Sequence, residues 1–276
     1  MPGPAISSVE PRRCPLCARD NAASVRLPYA EDPWVLRQCA GCGLVYLENP
    51  PPQQELETDL AWEKTFHEER QRRREREPVF QRLGAVVNFL RMRVFKRDRL
   101  SALARRYFPP GRILDVGCGD GSALARLPAG YVPFGIEVSK ELHRLAEEKL
   151  SPRGGRCLRA DALSGMREFP DASFEGVVMM SYLEHEPNPR PALEQAARLL
   201  KPGARLVIKV PNYECWNRAV RRARWCGFRS PEHVNYFAPD LLRRLVTECG
   251  FRVCQFGFLD RLPTSDNMWM VAERPR

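Results

Sequence analysis

Short apolar runs set the rhythm of the chain from Arg112 onward. Ile113–Val116, Val132–Glu137, Arg156–Ala160, Gly176–Met180, Arg205–Val210, Val253–Phe258 and Met268–Val271 have the length and bounds of strands. Between most of them lie Ser122–Leu127, Lys140–Leu150, Ala192–Leu200 and Pro239–Cys249, each with helical spacing of its apolar residues. Such alternation predicts an α/β fold: a mostly parallel sheet of seven strands with helices on both faces. Lys201-Pro202-Gly203 and Gly250 mark the last two helix ends. The Leu262–Asn267 link is too short for a helical crossover, so the last strand should run antiparallel. Upstream, Val79, Leu83, Val86, Val87, Leu90, Val94 and Phe95 recur at three- and four-residue steps and predict an amphipathic helix from Pro78.

These patterns divide the chain into a disordered leader at 1–13, a cysteine-rich unit at 14–50 and a charged, helical connector and lid at 51–110. The α/β domain takes 111–276, with an insertion at 212–237. Hydrophobic residues make up 43% of the 276, enough to bury a real core. No apolar run approaches the ~18 residues of a membrane span. The N-terminus has Pro2, Pro4, Pro11, Arg12 and Arg13 with no apolar stretch between, unlike a secretory signal. Ten cysteines in that setting point to reduced thiols, a cytoplasmic location and a metal, not to a disulfide scaffold.

The net charge of +10 is local. Lys64 to Arg106 carries 14 Lys/Arg against 5 Asp/Glu, while the remainder is nearly balanced. This basic 64–106 segment suits RNA, an anionic membrane surface or a phosphorylated substrate, and equally a solvated helix face.

Cys14-Pro15-Leu16-Cys17 and Cys39-Ala40-Gly41-Cys42-Gly43 give two C-x2-C pairs separated by 21 residues. Each pair can turn two thiolates toward one tetrahedral zinc, and four cysteines close the site, so the Zn2+ would be structural. A redox dithiol or plain core cysteines are the alternatives. Cys118, Cys157, Cys215, Cys226, Cys249 and Cys254 lack this pairing and read as small buried residues.

Ile113-Leu114-Asp115-Val116-Gly117-Cys118-Gly119-Asp120-Gly121 is a buried strand that runs into a glycine-rich turn and a helix. Glycines there allow positive φ and let backbone approach a ligand. Glu137 ends the second strand, 22 residues after Asp115, where an acid can take two ribose hydroxyls. Asp161 follows the third strand, in the crevice beyond the carboxyl ends of the sheet.

This constellation resembles the class I S-adenosylmethionine-dependent methyltransferases over roughly residues 80–276. Asp171–Val178 resembles that family's approach to its fourth strand, and Leu199–Ala204 its turn into the fifth. The resemblance implies a Rossmann-like seven-stranded methyltransferase sheet and S-adenosyl-L-methionine as cofactor. By resemblance, Gly117, Gly119 and Gly121 shape the wall against its methionine and ribose parts, and Asp115 orients the methionyl amine. Glu137 holds the ribose hydroxyls, while Asp161 and Ala162 meet the adenine edge.

Methyl transfer from a sulfonium is an in-line displacement, and a hydroxyl acceptor must also lose a proton. Candidates for that work follow the fourth and fifth strands. Ser181-Tyr182-Leu183-Glu184-His185 is one group, and Pro231-Glu232-His233-Val234-Asn235-Tyr236-Phe237, inside the aromatic-rich insertion, is another. His233, His185, Glu232 and Tyr236 are the catalytic candidates. His185 alternatively caps the fourth strand, and Glu184 with His185 offers two ligands to a divalent ion.

Leu183-Glu184-His185 is similar to the ubiquinone-biosynthesis O-methyltransferases, which lack the cysteine unit. Glu232-His233 and Tyr236, with the four cysteines, resemble nucleotide-sugar C-methyltransferases, which carry a further C-terminal domain. A small-molecule acceptor, more readily at oxygen than carbon, is the expectation. An rRNA or tRNA methyltransferase using the cysteine unit and Arg-rich helix is the alternative, although no Asn-Pro-Pro-Tyr-like motif is present. An interaction module without catalysis is a third reading.

Overall fold

A computed structural model describes residues 11–52 and 98–276. The predicted leader up to residue 10, the helix from Pro78 and most of the basic segment lie outside the described residues.

Two sheets organise the rest. The larger is built from β4 (Gly111–Val116), β5 (Tyr131–Ile136), β6 (Arg156–Leu158), β7 (Phe174–Met180), β8 (Leu200–Pro211), β10 (Arg252–Gln255) and β11 (Asn267–Glu273). Its seven strands run in the order β10-β11-β8-β7-β4-β5-β6. β4 pairs in parallel with β5 and β7, and β11 runs antiparallel to both β8 and β10. Every strand expected from the apolar runs is present, with the last one reversed as its short connection requires.

The central strands are buried on both faces, and successive side chains point to opposite sides. Leu114, Val116, Val177 and Met179 point to one face, where α4 (Ala162–Arg167), α5 (Pro189–Leu199) and α7 (Pro239–Glu248) cover them. Ile113 and Val178 point to the other, under α1 (Arg99–Tyr107), α2 (Ser122–Ala125) and α3 (Lys140–Leu150). Ser139 caps α3 by accepting from Leu142 N at 3.3 Å, and Pro189 and Pro239 open α5 and α7, where no N–H is needed. α5 begins three residues earlier than the apolar spacing suggested. Lys201-Pro202-Gly203 is not a separate turn but lies within β8, with Gly203 at φ +79°. No helix among the described residues is long and apolar enough to cross a membrane.

The smaller sheet joins β1 (Arg26–Leu27), β2 (Leu36–Gln38) and β3 (Val45–Leu47) of the cysteine unit to β9 (Asn235–Tyr236) of the insertion. Strands this short have no stability alone. They gain it by burying Leu36, Val45 and Leu47 against Trp225, Phe228, Val234 and Tyr236. Most of the insertion's aromatic residues are thereby spent on the cysteine unit, and only Trp216, at the start of α6 (Trp216–Arg221) and 62% exposed, faces solvent. Arg12, which the sequence pattern assigned to the leader, is fixed by a hydrogen bond from its own N–H to Glu48 O at 2.7 Å. Of the remaining cysteines, Cys118, Cys157, Cys215 and Cys249 are buried as expected, the first two with sulfurs 3.6 Å apart, whereas Cys226 is half-buried and Cys254 exposed.

Candidate functional site

The carboxyl ends of the parallel strands open on a cavity of about 700 Å³, large enough for a nucleoside-sized ligand with an acceptor beside it. Asp115, Gly117, Gly119, Glu137, Asp161 and Ala162 line one end of it. Glu184, His185, Glu232 and His233 line the other.

At the first end, the glycine turn after β4 is held by Gly117 N donating to Ile136 O at 2.9 Å and Gly119 N donating to Glu137 Oε2 at 2.9 Å. Gly119 sits at φ +56° with no atom within 4 Å of where a Cβ would stand, so its missing side chain keeps the cavity open. Gly121 serves a different purpose. It does not line the cavity; a Cβ there would come within 3.0 Å of Ala146 Cα, so it lets α2 approach α3. This corrects its expected place on the cofactor wall.

Glu137 accepts from Gly119 N through Oε2 and from Ser139 N through Oε1, so both its oxygens face the turn beside the cavity. Asp161 both lines the cavity and caps α4, accepting from Ser164 N at 2.9 Å. Burial raises its carboxyl, but hydrogen bonds from Ser164 and Leu163 N, with the charge of Arg167, hold it below the ordinary value.

Asp115 is almost wholly buried, and its Oδ1 has no hydrogen-bond partner among the described residues. Burial, and then the charge of Glu137, push its carboxyl well above the usual range. An uncompensated buried carboxylate is costly, and a cationic ligand group at this wall relieves that cost. A ligand that carries an ammonium group fits this position.

At the second end, two segments about 50 residues apart are stitched together. Val234 N and Asn235 N both donate to Glu184 O, at 2.8 and 3.1 Å. The Asn235 side chain donates to Leu183 O at 3.2 Å and Glu186 O at 2.6 Å. His185 Nδ1 meets Glu232 O at 3.0 Å, and His233 Nδ1 meets Gly227 O at 2.8 Å. A carbonyl only accepts, so both imidazoles carry their proton on Nδ1 and present Nε2 as the ligand or acceptor atom.

The outcome is a cluster of Glu184, His185 and His233 whose ligand atoms lie within 4.8 Å of one another. Burial pushes the Glu184 carboxyl up to about 7, against the pull of Lys209 and Arg229. Its Oε2 is another buried atom without a partner among the described residues. Burial, and then Arg229, lower His185 to about 4, so that ring is neutral at physiological pH. Imidazoles that donate Nδ1–H to carbonyls, beside a carboxylate with one buried oxygen left over, form a donor set suited to a divalent cation. The sequence offered two of these ligands; the fold supplies the third.

Glu232 lines the cavity but gives its carboxylate to Arg229 at 2.5 Å. Tyr236 does not line the cavity: its ring packs in the cysteine-unit core, 5.3 Å from the Phe228 ring. The same ring lies 6.5 Å from the His233 ring. Asn235, 1% exposed, joins the two segments at this end, and no local pattern announces it.

The four cysteines of the N-terminal unit also converge. Cys14 and Cys42 sulfurs lie 3.5 Å apart, Cys17 and Cys39 sulfurs 3.4 Å apart, and all four within 4.8 Å. A tetrahedral zinc with arms of ~2.3 Å has sulfur–sulfur edges of about 3.8 Å, close to this spacing. The neighbouring Cys42 sulfur draws the Cys14 thiol down to about 5, as in a pair that shares one proton.

Comparison with known proteins bears on the α/β domain. A family model described as Methyltransferase domain matches residues 89–255. The O-methyltransferase cnsE of Penicillium expansum is 36% identical over 149 residues, covering 51% of this chain and 52% of the relative. The ubiquinone biosynthesis O-methyltransferase of Xanthomonas campestris is 35% identical over 119 residues, 41% of this chain and 49% of that protein. The matched stretch thus spans about half the length of these relatives. A crystal structure of a methyltransferase from Methanosarcina mazei, named as S-adenosylmethionine-dependent, superimposes with a TM-score of 0.50 at 25% identity. It covers 63% of this chain and 97% of that one.

Proposed function

The chain belongs to the methyltransferase-domain family with the class I sheet, and from that membership we propose that it methylates a hydroxyl oxygen of a small acceptor. S-adenosylmethionine would be the donor, with Asp115 on its ammonium, Glu137 on its ribose and Asp161 and Ala162 by its adenine. The observation that carries the acceptor reading is the Glu184–His185–His233 cluster on the cavity that Asp115 and Glu137 also line. The printed names of the two relatives, both O-methyltransferases, support oxygen as the atom.

Displacement at the sulfonium methyl needs an aligned nucleophile and little else, so the protein's task is to hold and deprotonate the hydroxyl. Glu184, with a carboxyl near 7, has the affinity for a proton that a base at neutral pH requires. With their protons on Nδ1, Nε2 of His233 and Nε2 of His185 are acceptors as well, so the single hydroxyl proton would be held by Glu184 or by one of them. The same three residues would hold a divalent cation, which when bound would act as a Lewis acid and favour the ionised acceptor. Glu232 works indirectly, fixing His185 through its carbonyl and neutralising Arg229. We infer also that a structural zinc fills the Cys14, Cys17, Cys39 and Cys42 cage.

The test is a screen of phenols, alcohols, amines and transfer RNA with methyl-labelled S-adenosylmethionine, with and without Mg2+ or Mn2+. Label on the oxygen of a small molecule is the expected result. Label confined to carbon, nitrogen or RNA would overturn the proposal.

A further inference from the structure

Arg12 lies outside the cavity lining, yet its side chain reaches both segments that build the acceptor end. Its Nε donates to Leu47 O at 2.8 Å, at the end of β3. Nη1 donates to Pro187 O at 3.0 Å, two residues beyond His185. Nη2 donates to Val234 O at 2.8 Å and to Asn235 Oδ1 at 3.3 Å, adjoining His233. The guanidinium also sits 5.6 Å from the centre of the Tyr46 ring. The planar fork of an arginine spans three carbonyls on three different segments; a lysine ammonium, a single point, does not.

Its partners decide what this does. Val234 and Asn235 bond to Glu184 O, and Asn235 bonds to Leu183 O and Glu186 O. Arg12 therefore closes the same seam that sets the spacing between Glu184, His185 and His233. None of its hydrogen bonds reaches the glycine turn, Glu137 or Asp161. Its backbone N–H is fixed in turn by Glu48 O, and Cys14 follows two residues on.

We propose that Arg12 is a positioning residue for methyl transfer, by which the four-cysteine unit braces the acceptor end of the cavity and leaves the cofactor end independent. This rests on the reading of Glu184, His185 and His233 as the acceptor end. The cysteine unit thereby has a task beyond its own stability: it holds one wall of the site through β3–β9 pairing and through this guanidinium.

The experiment uses full-length Arg12→Gln and Arg12→Lys beside the wild type. Zinc content, S-adenosylhomocysteine affinity, kcat and KM, and peptide-resolved hydrogen exchange are measured on each. Zinc content and S-adenosylhomocysteine affinity are expected to stay within about twofold of wild type. Exchange in peptides over 183–188 and 232–237 should quicken at least tenfold, with 115–121 and 137–142 unchanged. The kcat should fall at least tenfold with the KM for S-adenosylmethionine unchanged, Arg12→Lys lying between wild type and Arg12→Gln. Exchange that rises uniformly, or does not change at 183–188 and 232–237, would overturn the proposal. So would loss of S-adenosylhomocysteine binding in parallel with kcat in both variants. His233→Ala separates the two claims: wild-type turnover in that variant refutes the acceptor-end assignment, whereas the exchange pattern of the Arg12 variants judges the brace.

Discussion

Asp115→Asn removes one charge from the cofactor end without changing its shape. In the wild type a carboxyl 2% exposed, with Oδ1 unpartnered and Glu137 nearby, waits for a cation. A hydrogen bond to a charged group is worth roughly 1.5–3 kcal/mol, so losing the ammonium contact should weaken S-adenosylhomocysteine about 10- to 150-fold. Calorimetric titration measures this, and methylthioadenosine, which lacks the amino-acid end, serves as the internal control. Its affinity should stay within about twofold. The cofactor-free protein should respond in the opposite sense. Since the folded carboxyl titrates above its unfolded value, its contribution to stability is full below about pH 4 and is lost as pH rises toward the folded value. Asn has no such loss, so the variant's melting temperature should gain on wild type as pH is raised. Equal weakening of both ligands, or of neither, would refute the assignment of Asp115 to the ammonium.

Cys39→Ser should take zinc from about one per chain to none by elemental analysis and lower the melting temperature; full zinc in the variant would exclude the cage. Gly119→Ala and Gly121→Ala should part company. The first should lose cofactor affinity, since its Cβ enters the cavity. The second should lose about 1–3 kcal/mol of stability in urea, from φ +72° and the 3.0 Å approach to Ala146, and keep affinity once folded. Trp225→Ala, which empties the core shared by the cysteine unit and the insertion and breaks a 2.7 Å bond to Asp266 Oδ1, should cost about 3–5 kcal/mol. A loss below about 1 kcal/mol in urea unfolding would show that this core is not shared.

The sheet was legible because its signals are local. Seven apolar runs, one short final link and a glycine turn each announce themselves within ten residues. Helix α4 was missed because Ala162–Arg167 is too short to show a period; the only cue was Asp161 in cap position. Tyr236 and Asn235 show a deeper limit. Neighbours in an extended strand face opposite sides, so a motif that names both cannot tell which faces the site. Here Asn235 meets the Glu184 segment, and Tyr236 meets Phe228. Arg12 carried no signal at all, since its role depends on carbonyls up to 222 positions away. Glu184 and His185 were visible as a pair, but their meeting with His233 needed β9 to dock on the cysteine unit.

The most direct test of the account is single-turnover methyl transfer by His233→Ala to an acceptor found with the wild-type protein, read beside S-adenosylhomocysteine affinity. The account predicts a loss of about 10²- to 10⁴-fold in rate with affinity unchanged. Transfer at the wild-type rate would contradict it, because the cluster beyond β7 would then have no part in the chemistry.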